Sequence, residues 1–223
     1  MILASFGYIA NWMAGALKDM GMPFHNPYRR EGSYAAAWNP LTRGKKRVTA
    51  TDRVIDFLSP PWTWKSLHRW MGIMKGLPRG TKQEMIDNAK QTPGEIVPID
   101  WIINRIGEEG FSNASSGDFD WWFPRLTKGK DGTLAYPRRV FEEFGLKAIT
   151  ERPRITIGTI HSVKGGEASN VILVPDLSTR FWRDFMYVDP DPVLRMFFVG
   201  ATRARENLYL TDQIAKRGYR FQW

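Results

Sequence analysis

The last third of the chain alternates strand-like and helix-like runs, and this alternation constrains the fold more than any other feature. Ile155-Thr156-Ile157-Gly158-Thr159-Ile160 is rich in β-branched residues, Asn170-Val171-Ile172-Leu173-Val174 is a second such run, and Asn207-Leu208-Tyr209-Leu210-Thr211 is a third. Branching at Cβ stiffens the side chain and suits it to a pleated surface. Between the second and third runs, residues 191–205 carry Val193, Met196, Phe197 and Gly200 at helical spacing, which predicts a helix with one packed face. Strands joined through a helix run parallel, and a parallel sheet must be covered by helices. The expected fold is α/β, a parallel sheet flanked by helices, with ligands gathered at the carboxyl ends of its strands.

The opening of the chain supplies more of the same grammar. Residues 1–4 are a short apolar run, and residues 8–20 place Ile9, Trp12, Met13, Ala16 and Leu17 at helical spacing before Gly21 and Pro23 end the helix. Residues 25–32 read as loop. From about residue 48 to 150 the pattern changes, with helical pieces at 50–58, 64–75, 98–106 and 136–144 separated by Pro and Gly. Residues 113–132 are turn-rich and contain an aromatic knot of Phe119, Trp121, Trp122 and Phe123. The predicted organisation is therefore discontinuous. Residues 1–41 begin the α/β domain, 42–150 form a mainly helical insert, and 151–223 complete the domain.

Charge narrows the partners. Thirty-two Lys and Arg face 23 Asp and Glu, a net charge of +9, which suits a polyanion, nucleic acid first and an anionic membrane second. With no cysteine there is no disulfide scaffold, thiol nucleophile or thiolate metal site. His25, His68 and His161 are scattered, so no protein-built metal site is expected. No apolar run is long enough to span a bilayer. The first twenty residues lack a basic n-region, so they read as strand and helix, not a signal peptide, and a cytoplasmic location is expected. In the insert, Trp62, Trp64, Trp70, Trp121 and Trp122 are read as core ahead of base-stacking platforms. The run Arg43-Gly44-Lys45-Lys46-Arg47 reads equally well as a phosphate-backbone contact or as a solvated loop.

Two segments carry the chemistry. Thr159-Ile160-His161-Ser162-Val163-Lys164-Gly165-Gly166-Glu167-Ala168 follows one strand and precedes the next, so a single loop at a sheet edge is expected. Its adjacent glycines let backbone N–H groups approach an anion, Lys164 adds positive charge, and Glu167 can accept hydrogen bonds from sugar hydroxyls. The second segment, Arg195-Met196-Phe197-Phe198-Val199-Gly200-Ala201-Thr202-Arg203-Ala204-Arg205, is expected to place Arg195 and Arg203 near the same face of one helix. Guanidinium forks suit phosphate oxygens because they bond bidentately and stay charged.

In this order, and roughly thirty residues apart, these segments resemble motifs V and VI of the UvrD/Rep-like superfamily 1 DNA helicases, in the C-terminal RecA-like half. The Val199-Gly200-Ala201-Thr202-Arg203-Ala204 stretch is similar to the motif VI signature. The strong resemblance covers residues 155–212. A weaker one covers 1–41, where a strand and helix followed by Met22-Pro23-Phe24-His25 are similar to that domain's opening. The resemblance implies a role for each residue. Arg203 would be the arginine finger at the γ-phosphate of ATP, and Arg195 would link nucleotide state to domain position. Glu167, with Gly166 beside it, would contact the ribose. Thr159, His161 and Lys164 would touch single-stranded DNA, although a strand-end Thr and His serve equally well to satisfy local backbone groups. The implied cofactor is ATP with Mg2+, and the implied DNA partner is a single strand or a single-strand/duplex junction.

No Gly-x-x-x-x-Gly-Lys-Ser/Thr stretch occurs, and no apolar strand ends in an Asp-Glu pair. Without a phosphate cradle and a metal carboxylate, an arginine finger does not make an ATPase. The expectation is half of a motor, completed by an N-terminal P-loop half in cis or in trans, and inactive as an isolated chain. The alternative is a degenerate helicase-like module that binds nucleic acid without an ATPase cycle. A third reading is a protein-interaction domain docking through its Trp-rich insert.

Overall fold

The computed structural model describes residues 1–28, 38–44, 47–163, 165–214 and 216–219. The chain divides into two compact units, one made of Met1–Pro40 with Arg152–Trp223 and the other of Leu41–Glu151. In chain order the first unit opens with β1 (Ile2–Ala4), α1 (Gly7–Asp19) and β2 (Phe24–His25). The second unit contains α2 (Ala50–Phe57), α3 (Trp64–Met71), α4 (Thr81–Gln91), α5 (Ile99–Ser115, kinked at Gly107) and α6 (Phe119–Trp122). A 3-10 turn at Phe123–Arg125, α7 (Lys130–Phe144) and α8 (Leu146–Thr150) complete it. The first unit then resumes with β3 (Ile155–Thr159), a 3-10 turn at His161–Val163, β4 (Ala168–Val174), α9 (Thr179–Tyr187), α10 (Asp191–Ala201) and β5 (Ala204–Leu210).

The first unit is the expected α/β fold. Its five strands form one parallel sheet in the order β2-β3-β1-β4-β5. The shortest of its central strands, β1, pairs on both sides, with Ala4 opposite Thr159 of β3 and opposite Val174 of β4. Leu3, Ile160, Val163, Val171, Leu173, Val193, Met196 and Phe197 form one buried cluster. The packed face of α10 is the one expected, Val193, Met196, Phe197 and Gly200. Gly200 is there because of space, since a Cβ would lie 2.9 Å from Leu173 Cδ1 and 3.2 Å from Ile160 Cδ1.

Three expectations are corrected here. The helix expected to reach residue 205 stops at Ala201, and its last turn tightens as Arg203 N–H bonds Gly200 O at 3.2 Å. Arg195 and Arg203 therefore do not share a helix, because the chain must turn at Thr202 and Arg203 to enter β5. His25, within the expected loop 25–32, instead pairs with Thr156, and Phe24 with Ile155, as an edge strand. Helix α9 was not expected, yet Ser178 caps it by accepting from Phe181 N–H, and Phe181, Trp182 and Phe185 pack onto the core.

The second unit is helical with an aromatic centre. Trp62, Trp64, Trp70, Trp121 and Trp122 are all buried, at most 8% exposed, which settles them as core. Phe57 stacks on Trp122 at 4.2 Å, Trp62 meets Trp70 at 5.0 Å, and Trp62 Nε1 donates to Phe57 O at 3.2 Å. Thr49 and Asp52 form a capping box at the start of α2. The same Asp52 carboxylate, buried, accepts from Gly44 N–H at 2.9 Å and from Arg43 Nε at 3.1 Å. Arg43 is thus a structural side chain of this unit, while Lys45 and Lys46 of the same basic run lie outside the described residues. Arg69 pairs with Asp56 at 3.2 Å, and Arg105 pairs with Glu84 at 2.9 Å while lying 3.9 Å over the Trp101 ring. Among the described residues, no helix is long and apolar enough to cross a membrane.

Candidate functional site

The site residues stand at two edges of the parallel sheet. At the carboxyl edge, β3 ends in Thr159. Ser162 Oγ accepts from Thr159 N–H at 3.0 Å and donates to Thr159 O at 2.9 Å, while Ser162 N–H donates to Thr159 Oγ1 at 3.2 Å. These reciprocal bonds shape the turn that turns the chain back from β3, and Thr159 is buried in it. His161, two residues on, is exposed. Lys164 lies outside the described residues.

The turn then leads to the other edge. Val163 anchors it in the core, Gly166 N–H bonds Val163 O at 2.8 Å, and β4 begins at Ala168. Thr159 is level with Val174, the last residue of β4. At about 3.3 Å per residue, Ala168, the first residue of β4, therefore lies about 20 Å from Thr159 along the strand direction, with Glu167 immediately before it. The expectation of one loop at one edge is corrected on this point. A link between parallel strands must return from a carboxyl end to an amino end, so it divides its residues between the two edges. Thr159 and His161 stand at the carboxyl end of β3. Gly166 and Glu167 stand instead at the amino end of β4.

There they meet the second segment. Ala168 N–H donates to Arg203 O at 3.0 Å, and Ala168 pairs with Ala204 in the β4–β5 register. Glu167 and Arg203 are thus neighbours across the starts of two strands. The Arg203 guanidinium is docked on the end of α10, where Nε donates to Val199 O at 3.0 Å and Nη2 to Thr202 Oγ1 at 3.0 Å. A cation at this end of a helix also meets the negative pole of its dipole. Arg195 stands on the outer face of α10, 80% exposed and paired with Asp191 at 3.0 Å. The structure therefore brings Glu167, Gly166 and Arg203 together and leaves Arg195 up the helix.

Two further residues touch this segment: Arg205, expected to point away from Arg203's face and to tolerate replacement by Ala, and Tyr28, expected only as loop. Arg205, the second residue of β5, donates from Nε to Glu167 Oε2 at 2.9 Å. The signal was available as opposite charges flanking Ala168 and Ala204, but only the register makes them neighbours. Tyr28, three residues after β2 and partly exposed, presses on the glycine loop, and a Cβ at Gly166 would collide with its hydroxyl. A side chain at position 166 would have to displace the Tyr28 ring. Among the described residues, no group of three or more His, Asp or Glu is placed to hold a metal ion.

The five-stranded parallel sheet flanked by helices is an α/β fold of the RecA-like kind. Residues 154–211, all within the second stretch of this unit, match the family described as the UvrD-like helicase C-terminal domain. The match supports the C-terminal half of a UvrD/Rep-like superfamily 1 helicase and covers both segments quoted above. No curated protein matches the chain.

Proposed function

We propose that this chain is the C-terminal motor half of an ATP-dependent DNA helicase or translocase, with Arg203 as arginine finger and Gly166 and Glu167 as the ribose contact. The observation that carries the reading is the shared amino edge of β4 and β5, where Ala168 N–H bonds Arg203 O and sets the two groups side by side. The residues fit a nucleotide. Glu167 is exposed and acceptor-rich, and Arg203 is a donor fork on the same edge. They do not fit Mg2+, since the described residues hold no group of three or more His, Asp or Glu placed for a metal ion. The P-loop half, in cis or in trans, would carry the metal and the phosphate cradle.

When bound, ATP would supply a γ-phosphoryl group whose transfer to water drives the cycle. Arg203 would exchange its bonds to Val199 O and Thr202 Oγ1 for phosphate oxygens, stabilising charge as it develops. Arg195, on the outer face of α10, would report nucleotide state to the neighbouring half. His161, exposed at the carboxyl edge, would contact single-stranded DNA together with Lys164. Thr159 would act there by shaping the turn through Ser162. Division of the link between the two edges gives one short segment, residues 159–167, a hand on both ligands.

Phosphate release measured with single-stranded DNA present tests the reading. The chain alone is expected to give none, and turnover is expected when a P-loop half is supplied. Robust turnover by the chain alone overturns the half-motor. Single-stranded DNA binding indifferent to nucleotide in the complete motor would favour the degenerate nucleic-acid-binding module instead.

A further inference from the structure

We infer that Arg205 is a positioning residue that holds Glu167 for ribose recognition, an inference that rests on the nucleotide reading above. Its Nε bonds one oxygen of the carboxylate, Oε2, at 2.9 Å, which leaves Oε1 to accept from a sugar hydroxyl. The β4–β5 register builds the pair, because Ala168 sits opposite Ala204, with Glu167 just before the one and Arg205 just after the other. The same register carries the Ala168 N–H bond to Arg203 O, so the group that aims the carboxylate and the arginine finger are two residues apart on one strand start.

The pair does little for the fold. Its side chains are 65% and 47% exposed, and an ion pair in that setting is screened by water and salt. A long exposed glutamate would otherwise sample many rotamers and lose that freedom on binding. Held by Arg205, Glu167 is ordered before the ligand arrives. The two arginines thus have different jobs: Arg203 is docked on α10, and Arg205 is committed to a carboxylate.

The experiment is an amide NMR titration of the full chain with ATP, 2′,3′-dideoxyATP and tripolyphosphate, followed at Gly166, Glu167 and Ala168. In the wild type ATP should bind more tightly than dideoxyATP. Arg205→Ala should weaken ATP by about threefold to tenfold, bring it close to dideoxyATP, and leave tripolyphosphate unchanged. Arg205→Lys should restore part of the difference, because an ammonium supplies charge without the planar fork. Arg205→Gln repeats the test without charge should the alanine variant fold poorly. A merely structural pair would shift the melting temperature and spare sugar selectivity. If Arg205→Ala keeps the wild-type ratio of ATP to dideoxyATP while Glu167→Gln abolishes it, the positioning role is overturned and the ribose contact stands. If the wild type does not distinguish the two nucleotides, the ribose contact fails and the inference goes with it.

Discussion

The two units use arginine in opposite ways. In the helical unit four guanidinium groups are committed to carboxylates or rings of the same unit: Arg43 to the buried Asp52, Arg69 to Asp56, Arg105 to Glu84 and the Trp101 ring, and Arg138 to Asp120 and Glu142. In the α/β unit Arg195 and Arg203 stand at the surface, Arg195 on the outer face of α10 beside Asp191 and Arg203 on the last turn of α10, while Arg205 pairs with the exposed Glu167. A charge buried with its partner is costly to release. An exposed one can change partners at little cost. The Arg43–Asp52 and Arg69–Asp56 pairs are therefore parts of the helical unit's structure, whereas Arg195 and Arg203 can exchange partners.

The largest expected effect breaks or keeps this contrast at Arg203. In the motor completed by its P-loop half, Arg203→Ala should cut DNA-stimulated ATP turnover by roughly 10³-fold or more with a much smaller change in nucleotide affinity. Steady-state ATPase rates and thermal melts check it, and normal turnover with a lowered melting temperature would make Arg203 structural. The next effect lies in the other unit. Trp122→Ala should cost about 3–5 kcal/mol by chemical denaturation. Trp122 Nε1 is buried without a hydrogen-bond partner, so Trp122→Phe loses no bond and should cost about 1.5 kcal/mol or less.

A smaller effect sharpens the contrast through pH. Burial pushes the Asp52 carboxyl up, but bonds from the Thr49 and Gly44 backbone, the Thr49 hydroxyl and Arg43 together hold it below its ordinary 3.8. A carboxylate depressed in the fold contributes stability above its unfolded pKa and loses it as pH falls through the folded one. Asp52→Asn should thus cost about 1–3 kcal/mol at neutral pH, and the gap to wild type should close below pH 3.8. Burial raises Asp56 instead, so that group withdraws stability as pH climbs above 3.8. Denaturant melts across pH 2–7 read both. Smallest is the contrast between His161 and Arg43. His161→Ala should weaken single-stranded DNA binding by about 1 kcal/mol, whereas Arg43→Ala should lower the melting temperature and leave binding alone. Fluorescence anisotropy at several salt concentrations checks it, with affinity falling steeply as salt rises.

Periodicity made the α/β unit legible where side chains alternate between core and solvent. The packed face of α10 was read residue by residue, because Val193, Met196, Phe197 and Gly200 share one stripe. Helix α9 escaped because none of its residues is fully buried, although Ser178 and its apolar residues 181, 182 and 185 were in plain sight. β2 escaped because two residues carry no period, and only pairing with β3 makes them a strand. The end of α10 was misplaced for a related reason, since Arg203 and Ala204 suit a helix until β5 demands a turn. At the site, residue types and order were readable, but the two edges were not. Which ends of two strands coincide is a property of register, and register is set by contacts far apart in sequence. The Glu167–Arg205 pair depends wholly on it.

One feature of the sheet bears on how the protein comes to exist. β1 lies in the middle of the sheet, yet its partners are β3 and β4, so Ile2 must wait for Ile157. At about 5–20 residues per second on the ribosome, that wait is roughly 8–30 s. Throughout it Leu3, later fully buried, has no sheet to enter. The helical unit, continuous from Leu41 to Glu151, is complete before β3 emerges. Synthesis thus delivers the aromatic core before the strand starts that carry Glu167, Arg203 and Arg205.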